Sequence, residues 1–296
     1  MLTIIGTVPL KGVPLTSGPC QFRNGKLQAG NLELPLINGT SVMIAAAIAA
    51  SNSLGIENPH AILAGDIGAG DGSNLIYRFL RDHPSSVHAS SELEVFALHY
   101  IKPNILYAKE AIKSLKKNSN AILIGDAGAM YVAKAAGIAK EFDLFTPDPG
   151  EMAFLADPDA VHPAYVRNYL FESITDMPSL IKQTYENSNA SKFLLVKGAT
   201  DYIVNNGKII EEVATPNVAA LEAIGGTGDT LAGIVSSLIA SGLDVGHAAV
   251  IAAKTNRLMG DFSNPNPSTK VWEMLPNIPR ALQKAKKTQE EYNHAG

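Results

Sequence analysis

The chain has 296 residues, of which 46% are hydrophobic and 18% charged, so it holds enough apolar material for a large core and is too apolar for disorder. Its formal net charge of −4 argues against a broad grip on the phosphate backbone of DNA or RNA, but leaves room for a local anion site made of backbone amides. The one cysteine, Cys20, excludes an internal disulfide or a zinc site of spaced thiolates and points to a reducing cytoplasm.

The first residues, MLTIIGTVPLKG, lack the basic and apolar regions of a signal peptide, and the most apolar run, 42–50, is nine residues and too short to span a bilayer. Residues 1–36 read as short strands and turns, with LTIIGTV and KLQAGNLELPL as the strand material. SVMIAAAIAASNSLG is predicted to be a helix, with Thr40 or Ser41 as its N-cap and Gly55 as its stop. Asn38–Ser41 can alternatively bind substrate hydroxyls. AILAG (61–65) reads as a buried strand before the glycine-rich loop 65–73, and SNLIYRFLRD (73–82) as a helix. That loop lacks the dinucleotide fingerprint; it is a tight turn or part of a substrate pocket.

The alternation continues with a helix from Tyr107 whose apolar stripe is Ala108, Ala111, Ile112 and Leu115. Then come strand AILIG (121–125), helix AMYVAKAAGIAK and strand FDLFT (142–146). Helices around 151–156, 163–171 and 177–187 precede strand FLLVK (193–197). DYIV-NNGK-IIEEV reads as a hairpin turning at Asn206-Gly207. Two helices, about 230–241 and 245–259, lead to a C-terminal helical segment from Pro279 that reads as polar and peripheral. The seven histidines show no metal spacing; His247 begins a helix and the others read as surface or loop residues. Strands alternating with helices predict one α/β domain over 1–296, a mainly parallel sheet with helices on both faces and ligands beyond the strands' carboxyl ends.

The stretch AIGGTGDTLAGIVSSLIASG (223–242) carries the most information. Leu231, Ile234, Val235, Leu238 and Ile239 make one apolar helix face. Gly225, Gly226, Thr227 and Gly228 let the backbone bend at the helix start, where free N–H groups and the helix dipole favour an anion. Gly226, Thr227 and Gly228 are therefore the candidate anion hole for a transferring phosphoryl group. Asp229 beside it either caps the helix or takes the proton of an attacking hydroxyl.

GGTGDTLAG resembles the signature of the ribokinase-like superfamily, in which the glycine turn is the anion hole and the following Asp the catalytic base. Within that superfamily the chain most resembles the carbohydrate-kinase-like family of ATP/ADP-dependent NAD(P)H-hydrate dehydratases. FTPDPGEMAFL (145–155) is similar to the family's LTPHPGEMARLL, LIGDAGAM (123–130) to its LDADAL segment, and LLVKGATDYIVNNGK (194–208) to its strand-Lys-Gly-Ala segment. The resemblance is good over about 105–260 and weak before it. Where the family has a GPGLG-type loop this chain has HYIKPNIL (99–106); where the family has His and Asp it has Asp148 and Gly128.

What the resemblance implies is a site with Asp229 as base and Lys197, Gly198, Ala199, Thr200 and Asp201 contacting the nucleotide. Asp126 and Asp148 would face the substrate, and Glu151 would organise Mg²⁺ through its waters. Asp126 capping the next helix and Glu151 sitting in a favoured first turn are the plain alternatives. Asn256 reads as a core or surface polar residue that can border the adenine. The implied cofactors are ATP or ADP with Mg²⁺, the implied assembly a homo-oligomer such as a tetramer, with no nucleic acid or membrane partner. The implied reaction is repair of hydrated NAD(P)H by phosphorylation and loss of phosphate. The alternative is a kinase for another small alcohol, of the sugar, hydroxymethylpyrimidine or hydroxyethylthiazole type. A nucleotide-binding protein without catalysis is a third reading, against which a carboxylate at residue 229 argues.

Overall fold

The computed structural model describes residues 1–23, 26–83, 93–118, 120–162 and 176–295. Its centre is an 11-stranded sheet in the order β11-β10-β9-β8-β7-β6-β1-β5-β2-β3-β4. The middle of it is parallel: β5 (His60–Gly65), β1 (Leu2–Val8), β6 (Glu94–His99), β7 (Ala121–Gly125), β8 (Leu144–Phe145) and β9 (Phe193–Val196). At one side β9 continues antiparallel into β10 (Asp201–Asn205) and β11 (Lys208–Val213). At the other, β2 (Thr16–Arg23) runs antiparallel to β5 and then pairs with β3 (Lys26–Ala29), which carries β4 (Leu32–Leu34). The hairpin turn at Asn206-Gly207 forms as expected, both residues having positive φ, 48° and 84°.

The strands are apolar on both faces because both are covered. Along β1, Ile4 joins one core and Ile5 the other, the two-residue alternation of a pleated strand. The first core lies under α1 (Thr40–Leu54), α7 (Thr227–Ala240), α8 (Val245–Ser263) and the C-terminal α10 (Ile278–Ala295). The second lies under α2 (Asp71–Asp82), α3 (Ile105–Leu115), α4 (Gly128–Ala136), α5 (Pro149–Ala156) and α6 (Met177–Glu186). A one-turn helix, α9 (Val271–Met274), leads into α10. The helix expected at 163–171 lies outside the described residues.

Two expectations need correction. The helix expected at 41–55 starts at Thr40 with Gly39 as N-cap and no side-chain capping bond, because the Thr40 and Ser41 hydroxyls bond to Thr7 and Ile37 instead. The C-terminal helix is not peripheral: Ile278, Ala281, Leu282 and Ala285 are buried in the first core, on one stripe of an otherwise charged helix. Strands β2 and β6 do not figure in the sequence reading, and β6 turns out to be central.

α1 and α7 pack so closely that a Cβ built on Gly233 would lie 2.4 Å from the Met43 carbonyl oxygen, a backbone atom that cannot step aside alone. Gly233→Ala is therefore expected to destabilise the fold by ~1–3 kcal/mol, although alanine is the better helix former. Chemical denaturation checks this; an unchanged or higher midpoint would show that the two helices part without cost.

Candidate active site

All six parallel strands end at one edge, and the polar residues that follow their apolar runs gather there. β6 ends in His99, β7 is followed by Asp126, β8 by Thr146-Pro147-Asp148, and β9 by Lys197. α7 comes up from the other side with its glycine turn. Gly226 is its N-cap at φ 99°, with no side-chain capping bond, and Asp229 sits in the first turn. The capping role considered for Asp229 is thus replaced by a longer-range one: the Gly39 amide donates to its Oδ2 at 2.6 Å, and His99 Nε2 lies 3.1 Å from its Oδ1. Asp126 does not cap α4 either, since Ala127 is the N-cap and makes no side-chain capping bond. Its Oδ1 accepts from Lys197 Nζ at 2.9 Å, while its Oδ2 lies 3.6 Å from His99 Nε2.

His99, Asp126 and Asp229 are all buried, with their ligand-type atoms within 4.8 Å of one another. The cluster carries its own cation in Lys197. Burial works to raise the Asp229 carboxyl, but the His99 ring, the Gly39 amide and the Lys197 charge outweigh it and hold it below the ordinary carboxylate value. Lys197 likewise gains: burial opposes its charge, and Asp126 and Glu151 more than restore it.

Lys197 Nζ lies against the glycine turn, where a Cβ on Gly228 would be 3.1 Å from it. The turn is braced from behind. Asn256 donates through Nδ2 to the Thr227 carbonyl at 3.1 Å and accepts the Thr230 hydroxyl at 2.6 Å. Asn256 is thus neither plain core nor plain surface. In front of the turn is a cavity of about 300 Å³ walled by Asp148, Lys197, Gly198, Ala199, Asp201, Thr227, Gly228, Asn256 and Arg257. Of the expected nucleotide contacts, Thr200 is outside that lining, and Asp201 is committed elsewhere. Its Oδ2 accepts from Arg257 Nε at 2.8 Å and its Oδ1 from the Gly198 amide at 3.0 Å. Arg257 also donates to the carbonyls of Gly198, Ala199, Ala214 and Pro216, tying both loops of the cavity together. The sequence reading passes over Arg257, which lies in an apolar helix with no motif around it.

Asp148 and Glu151 form a reciprocal capping box at the start of α5, with bonds of 2.8 and 2.9 Å. The Tyr131 hydroxyl donates to the other Glu151 oxygen at 2.8 Å. Burial pushes the Glu151 carboxyl up to about 7, against the pull of Lys197. With both oxygens engaged, Glu151 could reach a Mg²⁺ ion only through water, while Asp148 stands on the cavity wall.

A second cavity, of about 600 Å³, is lined by Asn38, Gly39, Thr40, Asp66, Ile67, Tyr100, Lys102, Gly128, Tyr131 and His162 among others, and the Gly39 amide in its wall is the one that holds Asp229. The glycine-rich loop 65–73 is a tight turn that also lines this cavity. Asp66 ties it into a tight turn by accepting from the Gly68, Gly70 and Ser73 amides, and Asp66, Ile67 and Gly68 also line the cavity. Two non-glycine residues at this edge have positive φ, Tyr100 at 48° and Ala127 at 49°. Such conformations cost energy and collect where a site fixes its geometry.

Comparison with known proteins bears on this arrangement. The carbohydrate-kinase family model, described as NAD(P)H-hydrate dehydratase, matches residues 101–279. An uncharacterized protein of Methanocaldococcus jannaschii is 44% identical over 223 residues, 75% of this chain and 90% of its own. A bifunctional NAD(P)H-hydrate repair enzyme of Hyperthermus butylicus is 36% identical over 92 residues, which is 30% of this chain and only 16% of that enzyme. The fold is that of ribokinase-like kinases. The pyridoxal kinase of Staphylococcus aureus, solved in complex with ADP, superposes with a TM-score of 0.51 at 10% identity, covering 88% of this chain and 87% of that one. No helix among the described residues is long and apolar enough to cross a membrane. The ordered motifs, the sheet edge that gathers them and the match over 101–279 together place this chain in the NAD(P)H-hydrate dehydratase family, a family of enzymes.

Proposed function

We propose that the chain uses ATP or ADP to dehydrate hydrated NADH or NADPH, with Asp229 as the base. The observation that carries this reading is that Asp229 is tied to two cavities through the residues that line them. Its neighbours Thr227 and Gly228 line the first, and its hydrogen-bond partner Gly39 lines the second. The nucleotide would occupy the first, with its terminal phosphate on the Gly226–Gly228 amides and beside Lys197. The solved complex of the pyridoxal kinase with ADP supports a nucleotide on this fold. Mg²⁺, when bound near Asp148 and indirectly through Glu151, would neutralise the phosphate charge.

The acceptor hydroxyl would enter from the second cavity. As its oxygen bonds to the terminal phosphorus, the bond to the bridging oxygen breaks and its electron pair stays with the shortened nucleotide. The hydroxyl proton passes to Asp229. For a hydrated dihydronicotinamide, the phosphate then departs with the electron pair of the C–O bond, and loss of a ring proton to solvent restores the double bond.

A second reading, a kinase for another small alcohol, rests on where the two cavities come from. Every residue lining the first lies within 101–279, whereas Asn38, Gly39, Thr40, Asp66, Ile67 and Tyr100 of the second lie before it. The family resemblance therefore covers the phosphate chemistry better than the acceptor. A nucleotide at ~100 times its Kd should add about 2.7 kcal/mol of stability, read as a thermal shift. Assay with hydrated NADH or NADPH separates the readings: a dehydratase raises the dihydronicotinamide absorbance, and a kinase accumulates a stable phosphate ester of some other alcohol.

A further inference from the structure

His99 is buried completely, and its hydrogen bonds specify its protons. Thr40 Oγ1 donates its one hydrogen to the Thr7 carbonyl at 2.7 Å, so what it presents to His99 Nδ1, 3.0 Å away, is a lone pair. Nδ1 must then be the donor. Nε2 faces Asp229 Oδ1 at 3.1 Å and Asp126 Oδ2 at 3.6 Å, both acceptors when ionised. A ring with hydrogen on Nδ1 alone would aim a bare nitrogen at two carboxylates. Donors at both positions satisfy every contact. The room for this is made by Gly6 in β1, where a Cβ would lie 2.3 Å from the His99 carbonyl oxygen and 3.0 Å from Thr40 Oγ1.

We propose that His99 is the positioning residue of this site: as an imidazolium it holds Asp229 ionised and fixes the face that the carboxylate turns to an acceptor hydroxyl. The inference rests on the proposed role of Asp229 as base. One lone pair on each carboxylate oxygen is taken, by His99 on Oδ1 and by Gly39 on Oδ2, leaving the others for the proton that a hydroxyl gives up as its oxygen bonds to phosphorus. The charges around the ring balance. Asp229 on α7 and Asp126 after β7 are offset by His99 on β6 and Lys197 after β9. Glu151 and Asp148 on α5 act through Lys197, and Tyr100 and Tyr131 stand at the edge of the group. Nothing in the motifs GGTGD, TPDPGE or KGATD supplies this residue; it comes from the segment HYIKPNIL that stands where the family has a glycine loop.

The test reads protonation directly. In ¹⁵N spectra of the wild-type protein near neutral pH, both ring nitrogens of His99 should be protonated; one bare nitrogen would overturn the proposal. In His99→Gln the amide can still donate to Oδ1 but brings no charge, so the Asp229 carboxyl, followed by its ¹³Cγ shift, should titrate at least about one pH unit higher than in wild type. If His99→Gln does not fold, Thr40→Val, which removes the acceptor of the Nδ1 proton, should move the same carboxyl in the same direction. An unmoved Asp229 titration in a folded variant would overturn the proposal. Where turnover is measurable, the acid limb of kcat/KM should move upward with the carboxyl. If no acceptor is turned over at all, the proposed function fails, and the ring and carboxyl spectra still decide whether His99 acts on Asp229.

Discussion

Asp229→Asn should leave a folded protein that binds nucleotide at least as tightly as wild type and turns over at least ~100-fold more slowly. The slowing follows from removing the proton acceptor, since general-base catalysis contributes about 10²–10⁴ in rate. Binding is spared because a negative charge is taken away beside the proposed phosphate site, and because the helix is capped by Gly226 rather than by residue 229. The Gly39 amide can still donate to the asparagine oxygen, so the start of α1 keeps its contact with α7. Calorimetric titration of nucleotide and steady-state turnover on the same preparation check both halves. Equal turnover in the two proteins would return Asp229 to a purely structural role and overturn its assignment as the base.

Arg257→Met should cost about 3–5 kcal/mol of stability, the penalty for breaking a buried ion pair from one side. Arg257 and Asp201 are nearly enclosed, at 8% and 9% side-chain exposure, so solvent does little to screen them. Without the guanidinium, Asp201 is left as a buried carboxylate, and the carbonyls of Gly198, Ala199, Ala214 and Pro216 lose their donor. Those carbonyls belong to two loops of the cavity proposed for the nucleotide, so nucleotide affinity should fall as well. The double variant Arg257→Met, Asp201→Asn should recover part of the loss, because the stranded charge is gone. Urea denaturation with a nucleotide titration measures both effects. A loss below about 1 kcal/mol in the single variant would mean that the loops hold without the arginine.

The glycine turn and Asp229 were legible in the sequence because their signal is local: small residues, then an acid, then an apolar helical stripe. The alternation of strands and helices was legible for the same reason. His99 was not, since a histidine after EVFAL has the polarity of a loop residue and its burial depends on Thr40, Asp126 and Asp229, which approach only in the folded sheet. A usable signal did exist. Three short apolar runs, EVFAL, AILIG and FLLV, each end on an ionisable residue, His99, Asp126 and Lys197, and in a parallel sheet such ends share one edge. Arg257 had no such signal, because its partner Asp201 is 56 residues away. β2 was hidden by Gly18 and Pro19, which weaken strand propensity where its pairing passes from β5 to β3.

The most direct test of nucleotide-dependent dehydration at Asp229 is the stoichiometry of the reaction with hydrated NADH or NADPH and ATP or ADP. The account predicts equal amounts of dihydronicotinamide, inorganic phosphate and shortened nucleotide from the wild-type protein, and almost none of the three from Asp229→Asn over the same time. Consumption of nucleotide with a stable phosphate ester accumulating and no rise in dihydronicotinamide absorbance would contradict it.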